Sequence, residues 1–389
     1  MVNESKEKSA IPSQQLDDIN TIVHLLTKEI SWNRSTRLHV FFGTLIFALA
    51  FHFQAYTWYY LGHDASRFYN HDVNWDIVTG RFGSVYIKGL YNFLQAPYLI
   101  GVISSCFTAI TILLLIRLLN IKTLSGVAML TTCIIAWPSY ISQHTYLYML
   151  PQFSFSGMSS VLAVYIMDKY DRKKELVYYS MALPALIASL ATYQVNIGVA
   201  AGLLLICIVI KSMERTELKA IIIYGFKGLL VLLASLVVYY VLWQYLIDSN
   251  GLVRTGYRNM DQSAADSIIV ILRGVGAVYA YVFNWFIAFK PLYIPAVIRR
   301  VYGILFCLCG IHVFYLTVKK ENTQHRFAWL ILEIVCFLLL PIAMNAGQFL
   351  NPSDKPYAAM LGGMLLPIFL MITCIDRFPQ FSPPPKKRQ

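Results

Sequence analysis

Three aspartates, Asp64, Asp72 and Asp76, fall inside the stretch LGHDASRFYNHDVNWDIVTGRFG (61–83), in a chain otherwise short of charge. The same stretch carries Arg67 and Arg81, and Lys88 follows it. A positioned, partly desolvated carboxylate takes a proton from an incoming hydroxyl. Arginine offers a planar two-point grip on phosphate oxygens, and lysine a point charge. One loop therefore offers a base and an anion site. Two His-Asp pairs, His63-Asp64 and His71-Asp72, have ligand types suited to a divalent cation. Adjacency in sequence does not establish convergence in space, so no metal site is assigned and a divalent cation stays open.

Other short stretches add recognition groups. In NGLVRTGYRNMD, Arg254, Tyr257 and Arg258 set an aromatic between two arginines, suited to a sugar face beside a phosphate. ATYQVN offers Tyr193 and Gln194 at a tight turn, and Trp75 stands within the acidic loop. The structural alternatives are ordinary: solvated loop charges, an Asp72 or Asp76 helix cap, interfacial aromatic anchors.

The elements that must position these residues are membrane helices. The chain has 389 residues, 57% of them hydrophobic and 13% charged, against about a quarter charged in soluble domains. Apolar runs near 38–60, 96–117, 123–142, 152–168, 177–192, 194–211, 222–247, 300–318, 327–345 and 357–375 are each read as a span. The expected fold is an all-α polytopic membrane protein with about ten transmembrane helices. The stretch 267–290 is ambiguous. Arg273 makes a span there expensive, which favours a re-entrant or interfacial segment; counting it gives the alternative of eleven spans.

Ten spans with a cytoplasmic N-terminus put 22 of the 32 lysines and arginines in cytoplasmic loops and tails, as the positive-inside rule requires. The expected organisation is a cytoplasmic segment 1–36, a membrane domain 37–376 and a basic cytoplasmic tail 377–389. The polar N-terminus does not read as a signal peptide. A net charge of +12, distributed over short loops, marks topology and not nucleic-acid binding. Seven cysteines in apolar runs predict no disulfide framework. Glu333, inside a span, is a functional candidate by default. The loop 61–95 and residues 193–196 and 248–266 then lie outside the cytoplasm. The cytoplasmic loops lack a P-loop or dinucleotide fingerprint, so the chemistry proceeds without soluble nucleotides.

Downstream of the acidic loop, GRFGSVYIKGLYNFL places Phe82, Val85, Tyr86, Gly89, Leu90 and Phe93 on one helical face. Ser84, Lys88, Asn92 and Gln95 fall on the other. The pattern predicts an interfacial helix holding Arg81 and Lys88 at headgroup depth.

A first span, HDASRFYNHD, then W-x-x-x-x-G-R and a later Y-Q resemble the bacterial glucosyltransferases of the type II serotype-converting kind. The resemblance implies a C-type glycosyltransferase fold. It also implies transfer of a sugar, usually glucose, from a polyprenyl-phosphate carrier to a cell-surface glycan such as O-antigen, on the outer face of the bacterial cytoplasmic membrane. Carried over, Asp64 is the catalytic base, with His63, Asp72 and Asp76 as assisting groups. Arg81 falls on the G-R arginine, and Tyr193 and Gln194 on the Y-Q pair. Arg67, Arg81, Lys88, Arg254 and Arg258 are the donor-phosphate candidates; Trp75, Tyr193, Gln194 and Tyr257 are the sugar or acceptor candidates. Where such enzymes often carry two adjacent acids, this chain has His63 before Asp64.

Two rivals remain. A lipid-linked glycan flippase should show internal repeats and midplane polar residues, and neither is evident. An O-antigen polymerase or ligase should concentrate arginines in a large late outer loop, yet the charge density here is in the first.

Overall fold

The computed structural model describes residues 27–57, 72–94, 96–169, 175–214, 216–254, 274–284, 295–319, 326–346 and 358–377. The described residues are helical apart from turns and one isolated bridge, Glu29 with Thr123. In chain order the helices are α1 (Arg34–Phe51), α2 (Phe53–Thr57), α3 (Val73–Val78), α4 (Gly83–Gly89), α5 (Pro97–Leu118), α6 (Leu124–Ile135), α7 (Pro138–Gln143), α8 (Leu150–Asp168), α9 (Glu175–Thr192), α10 (Ile197–Met213) and α11 (Leu218–Ser249). Then follow α12 (274–284), α13 (Ala296–Lys319), α14 (Arg326–Met344) and α15 (Leu366–Asp376).

Six described helices are long and apolar enough to cross a membrane: Pro97–Leu118, Leu147–Asp168, Gln194–Met213, Leu218–Ser249, Ala296–Lys319 and Phe327–Met344. Three shorter apolar helices, Leu124–Ile135, Val177–Thr192 and Gly362–Asp376, accompany them. Large apolar side chains stand exposed along α11 (Leu229, Leu233, Val237, Val241), α13 (Ile304, Leu308, Ile311) and α14 (Ile331, Leu338). A surface so continuously apolar calls for lipid, not water. The chain is a polytopic membrane protein.

Two of the expected spans are built differently. The run 123–142 breaks at Trp137, which is extended (φ −67°, ψ 133°) before Pro138 opens α7. A residue preceding proline is pushed out of the helical region. The twelve residues of α6 reach only about 18 Å. The run 357–375 starts as a 3-10 helix, Ala358–Leu365, and becomes α-helical at Leu366. In the ambiguous stretch, 274–284 is helical and buries Val278 and Val282.

Inside the bundle, small polar residues let helices approach closely. Ser156 Oγ donates to Ser189 O at 2.9 Å, and Ser160 pairs with Ser189 Oγ at 2.7 Å, joining α8 to α9. Ser160 Oγ also lies 2.8 Å from Asn196 O, and Asn196 Nδ2 donates to Phe153 O at 3.3 Å. These bonds fix the 3-10 turn Gln194–Asn196 between α9 and α10.

The bundle has two chemically different ends. One gathers ion pairs: Lys211–Asp168 at 2.8 Å and Arg377–Glu214 at 2.6 Å. There Asp376 accepts from the amides of Lys122 (2.7 Å) and Thr123 (3.0 Å), and Ile30 N donates to Lys122 O at 2.7 Å. Residues on both sides of the expected 37–376 boundaries thus touch the helical body. Glu333, fully buried on α14, accepts from Ser212 at 2.5 Å and Thr317 at 2.8 Å, which supplies the partners its sequence position called for. The other end carries α3, α4, the Tyr193–Asn196 turn and the end of α11. Tyr302, near the start of α13, reaches Met364 O at 2.7 Å on that side. The chain therefore leaves α11 and enters α13 at the same end.

Candidate functional site

The site end is built around the short helices α3 and α4. Asp72 caps α3, its carboxylate accepting from Trp75 N at 3.2 Å. This is the capping role open to an aspartate before a helix. Asp76, one turn further, points inward and is 5% exposed. Lys88 on α4 meets it, Nζ to Oδ2 at 2.5 Å, with the two side chains 4% and 7% exposed. The ion pair ties α3 to α4 across the turn that holds Arg81. Arg81 N also donates to Asp76 O at 2.6 Å.

Helix α4 spans only seven residues, shorter than the interfacial helix expected from GRFGSVYIKGLYNFL (80–94). Asn92 and Phe93 then take positive φ values of 50° and 57° and end the regular spacing. Its faces divide only in part as the pattern has them: Lys88 is buried against Asp76 and not at headgroup depth, and Asn92, expected on the same face, is exposed. Ser84, Ile87 and Lys88 turn into the protein, whereas Tyr86, Leu90 and Leu94 stand exposed. Ser84 Oγ donates to Thr192 O at 3.2 Å. Gly83 lies so close to Ala191 that an added Cβ would come within 3.0 Å of it. Both contacts seat α4 on the end of α9.

Arg81 follows Gly80, which is left-handed at φ 72°. Its guanidinium lies over the Tyr193 ring, Cζ 5.7 Å from the centroid, and Tyr193 packs on Phe153 at 4.6 Å. The Nε of Arg81 is buried and has no hydrogen-bond partner among the described residues. A desolvated guanidinium N–H without an acceptor is suited to an anion brought by a ligand.

Three side chains from elsewhere in the bundle hold the carbonyls just before Arg81. Trp243 Nε1 donates to Ile77 O at 2.7 Å, Gln194 Nε2 to Thr79 O at 2.9 Å, and Tyr239 Oη to Gly80 O at 2.9 Å. Gln194 Nε2 also donates to Tyr239 Oη at 3.0 Å. Arg254 packs against the same end of α11, 5.4 Å from the Tyr240 and Trp243 ring centroids. Its Nη2 donates to Tyr240 Oη at 2.9 Å.

Behind the ion pair, Gln152 Nε2 donates to Tyr91 Oη at 3.4 Å, and both residues are buried. Burial first, then the nearby Asp76 charge, pushes the Tyr91 phenol up to about 12. An apolar cavity of about 110 Å³ runs into the bundle from this end, lined among others by Trp137, Tyr140, Phe153, Asn196 and Phe369.

Of the residues expected from sequence, Asp76, Arg81, Lys88, Tyr193 and Gln194 come together, with Arg254 beside them and Asp72 and Trp75 on α3. His63, Asp64, Arg67, Tyr257 and Arg258 lie outside the described residues. Sequence reasoning missed Tyr239, Trp243, Tyr91 and Gln152. The first two had a readable signal. They belong to a buried stripe, Ile221, Tyr224, Gly228, Leu232, Ser235, Tyr239, Trp243 and Ile247, at three- and four-residue spacing along α11.

The family model for Glucosyl transferase GtrII matches residues 59–370. No curated protein and no solved structure matches the chain.

Proposed function

Because the chain belongs to the GtrII glucosyl transferase family, we propose that it moves glucose from a polyprenyl-phosphate carrier to a cell-surface glycan such as O-antigen. Transfer takes place on the outer face of the bacterial cytoplasmic membrane, and the site end of the bundle is that face. Ten spans with both termini inside satisfy the positive-inside rule. They also agree with the chain leaving α11 and entering α13 at one end. The charge pairs Lys211–Asp168 and Arg377–Glu214 then sit at the cytoplasmic end.

In this reading Asp64 removes the proton of an acceptor hydroxyl. The oxygen attacks the anomeric carbon, and the bond to the carrier phosphate breaks with its electron pair leaving on phosphate oxygen. One displacement inverts the anomeric centre. Arg81 meets the growing phosphate charge, and Arg67, Arg254 and Arg258 contribute from the flanking loops. Preorganised positive charge of this kind is often a large share of catalysis. Lys88 is neutralised by Asp76 and holds the loop together, and Asp72 caps α3. These two aspartates are therefore weaker candidates for the base than Asp64. The apolar cavity behind Tyr193 gives part of a hydrocarbon carrier chain a place to lie.

The observation that supports the reading, beyond family membership, is the Arg81 guanidinium, whose buried Nε has no partner among the described residues. Purified protein supplied with polyprenyl-phospho-glucose and a defined acceptor glycan tests it. Asp64→Asn should abolish transfer while leaving donor binding intact. Arg81→Ala should weaken donor binding, and an effect of salt on wild-type donor KM should shrink in that variant. Full activity of Asp64→Asn, or unaltered donor kinetics in Arg81→Ala, overturns the corresponding assignment.

A further inference from the structure

Helix α3 ends at the site end of the bundle, and the turn Thr79–Arg81 that follows leaves carbonyls outside any helix. Such orphan acceptors must find donors, and where water is scarce the requirement is strict. Ile77 O accepts from the local amide of Gly80 at 2.9 Å and also from Trp243, whereas Thr79 O and Gly80 O are held by the distant side chains of Gln194 and Tyr239. Two of those three side chains sit on α11 and the third at the start of α10's leading turn. The Gln194 amide donates to the Tyr239 hydroxyl, which donates onward to Gly80 O. A chain of this kind polarises and fixes each member.

The clamp fits its substrate backbone tightly. A Cβ on Gly80 would lie 2.3 Å from Tyr239 Oη and 2.7 Å from Gln194 Nε2. The aromatic faces are also continuous: Phe82 stacks on Tyr239 with centroids 5.8 Å apart and planes at 14°, and Tyr239 stacks on Trp243 at 6.4 Å and 15°. Arg81 therefore sits between two residues, Gly80 and Phe82, that both rest on Tyr239.

We infer that Tyr239, Trp243 and Gln194 are positioning residues for Arg81, setting where its guanidinium meets the donor phosphate. The inference rests on the reading of Arg81 as a donor-phosphate ligand. It gives Gln194 a role through the backbone of the acidic loop, different from the direct sugar contact expected of the Y-Q pair. It also adds two residues of α11 to the machinery.

The test is a pair of substitutions in two backgrounds, with donor and acceptor kinetics on the full-length protein in lipid. Tyr239→Phe keeps the stacked ring and removes only the hydroxyl. In the wild-type background it should lower kcat/KM for polyprenyl-phospho-glucose roughly 10- to 100-fold, the order expected for a misplacement of about 1 Å, with acceptor KM unchanged. In an Arg81→Lys background, already low in activity, the same substitution should change kcat/KM less than about twofold, because coupled residues do not add. Trp243→Phe should repeat the pattern and keeps the test open if the Tyr239 variant does not fold. Equal losses in both backgrounds, or a changed acceptor KM, refute the positioning role and leave the Arg81 reading standing. Wild-type kinetics in Arg81→Lys alone would remove the Arg81 reading, and this inference with it.

Discussion

Asp76 and Lys88 should be worth far more to each other than to the fold. Their charged atoms lie 2.5 Å apart with side chains almost wholly buried. At an effective dielectric near 20, unit charges at that distance attract by roughly 7 kcal/mol. Desolvating two ions costs several kcal/mol each, so the net pair contributes little. A lone survivor keeps its desolvation cost and loses its partner. Asp76→Leu or Lys88→Met alone should therefore destabilise by about 3–5 kcal/mol, whereas the double variant should lie near the wild type. Reversible unfolding in mixed micelles, read by tryptophan fluorescence, closes the double-mutant cycle. With the double variant near wild type, the coupling equals the two single costs together, roughly 6–10 kcal/mol, above the usual range for residues in contact. Glucosyl transfer should follow the same order: lost in each single variant and recovered in the double. Additive costs, or single variants within about 0.5 kcal/mol of wild type, would refute the buried-pair reasoning. A stable but inactive double variant would return Asp76 to the list of chemical groups.

Two further outcomes follow from the geometry. Gly80→Ala combines a left-handed backbone, costing an L-residue about 1–2 kcal/mol, with displacement of Tyr239 and Gln194 from two buried carbonyls at about 1–3 kcal/mol each. Unfolding measurements should show a loss of roughly 3 kcal/mol or more, and a loss under about 0.5 kcal/mol would contradict the clamp geometry. His144, in the turn after α7, should make stability fall in acid. Its Nδ1–H donates to Tyr140 O at 2.8 Å, Tyr56 donates to Nε2 at 3.2 Å, and the His52 ring stacks on it at 3.7 Å. Burial first, then His52, lowers its pKa from 6.5 to about 3. Below 6.5 the unfolded chain takes the proton and the folded chain does not, so the contribution is complete above 6.5 and declines as pH drops towards 3. At pH 5 the loss from this group is about 2 kcal/mol. Comparing unfolding at pH 7.5 and 5 in wild type and His144→Phe isolates it; an equal pH slope in both excludes His144 as the source.

The helical class and most helix positions were legible because twenty-residue apolar runs leave a polypeptide few options in lipid. The separation of Ser84 and Lys88 from Tyr86 and Leu90 on α4 was legible from spacing, but that Lys88 faces inward was not. The break at Trp137 was also written in the chain, since Pro138 follows it, but hydropathy averages over a single proline. What the sequence could not show was pairing at a distance. Gln194 finds Thr79 across 115 positions, and Tyr239 finds Gly80 across 159. Nothing local distinguishes those side chains from the interfacial aromatics and turn amides that any membrane helix end carries. Arginine and aspartate types named a chemistry, and tertiary contacts sorted which of them are engaged with each other. Lys88 pairs with Asp76, a contact that residue type alone does not reveal.

Helix α11 has 32 residues, a length of about 48 Å against a hydrocarbon layer of about 30 Å. It must lean, protrude or thicken the lipid around it. Two of the three anchors of the Gly80–Arg81 turn ride on its far end. If Arg81 holds the donor phosphate as proposed, bilayer thickness becomes a variable of the reaction, because the lean of this one helix is tied through Tyr239 to a turn more than 150 positions away in sequence.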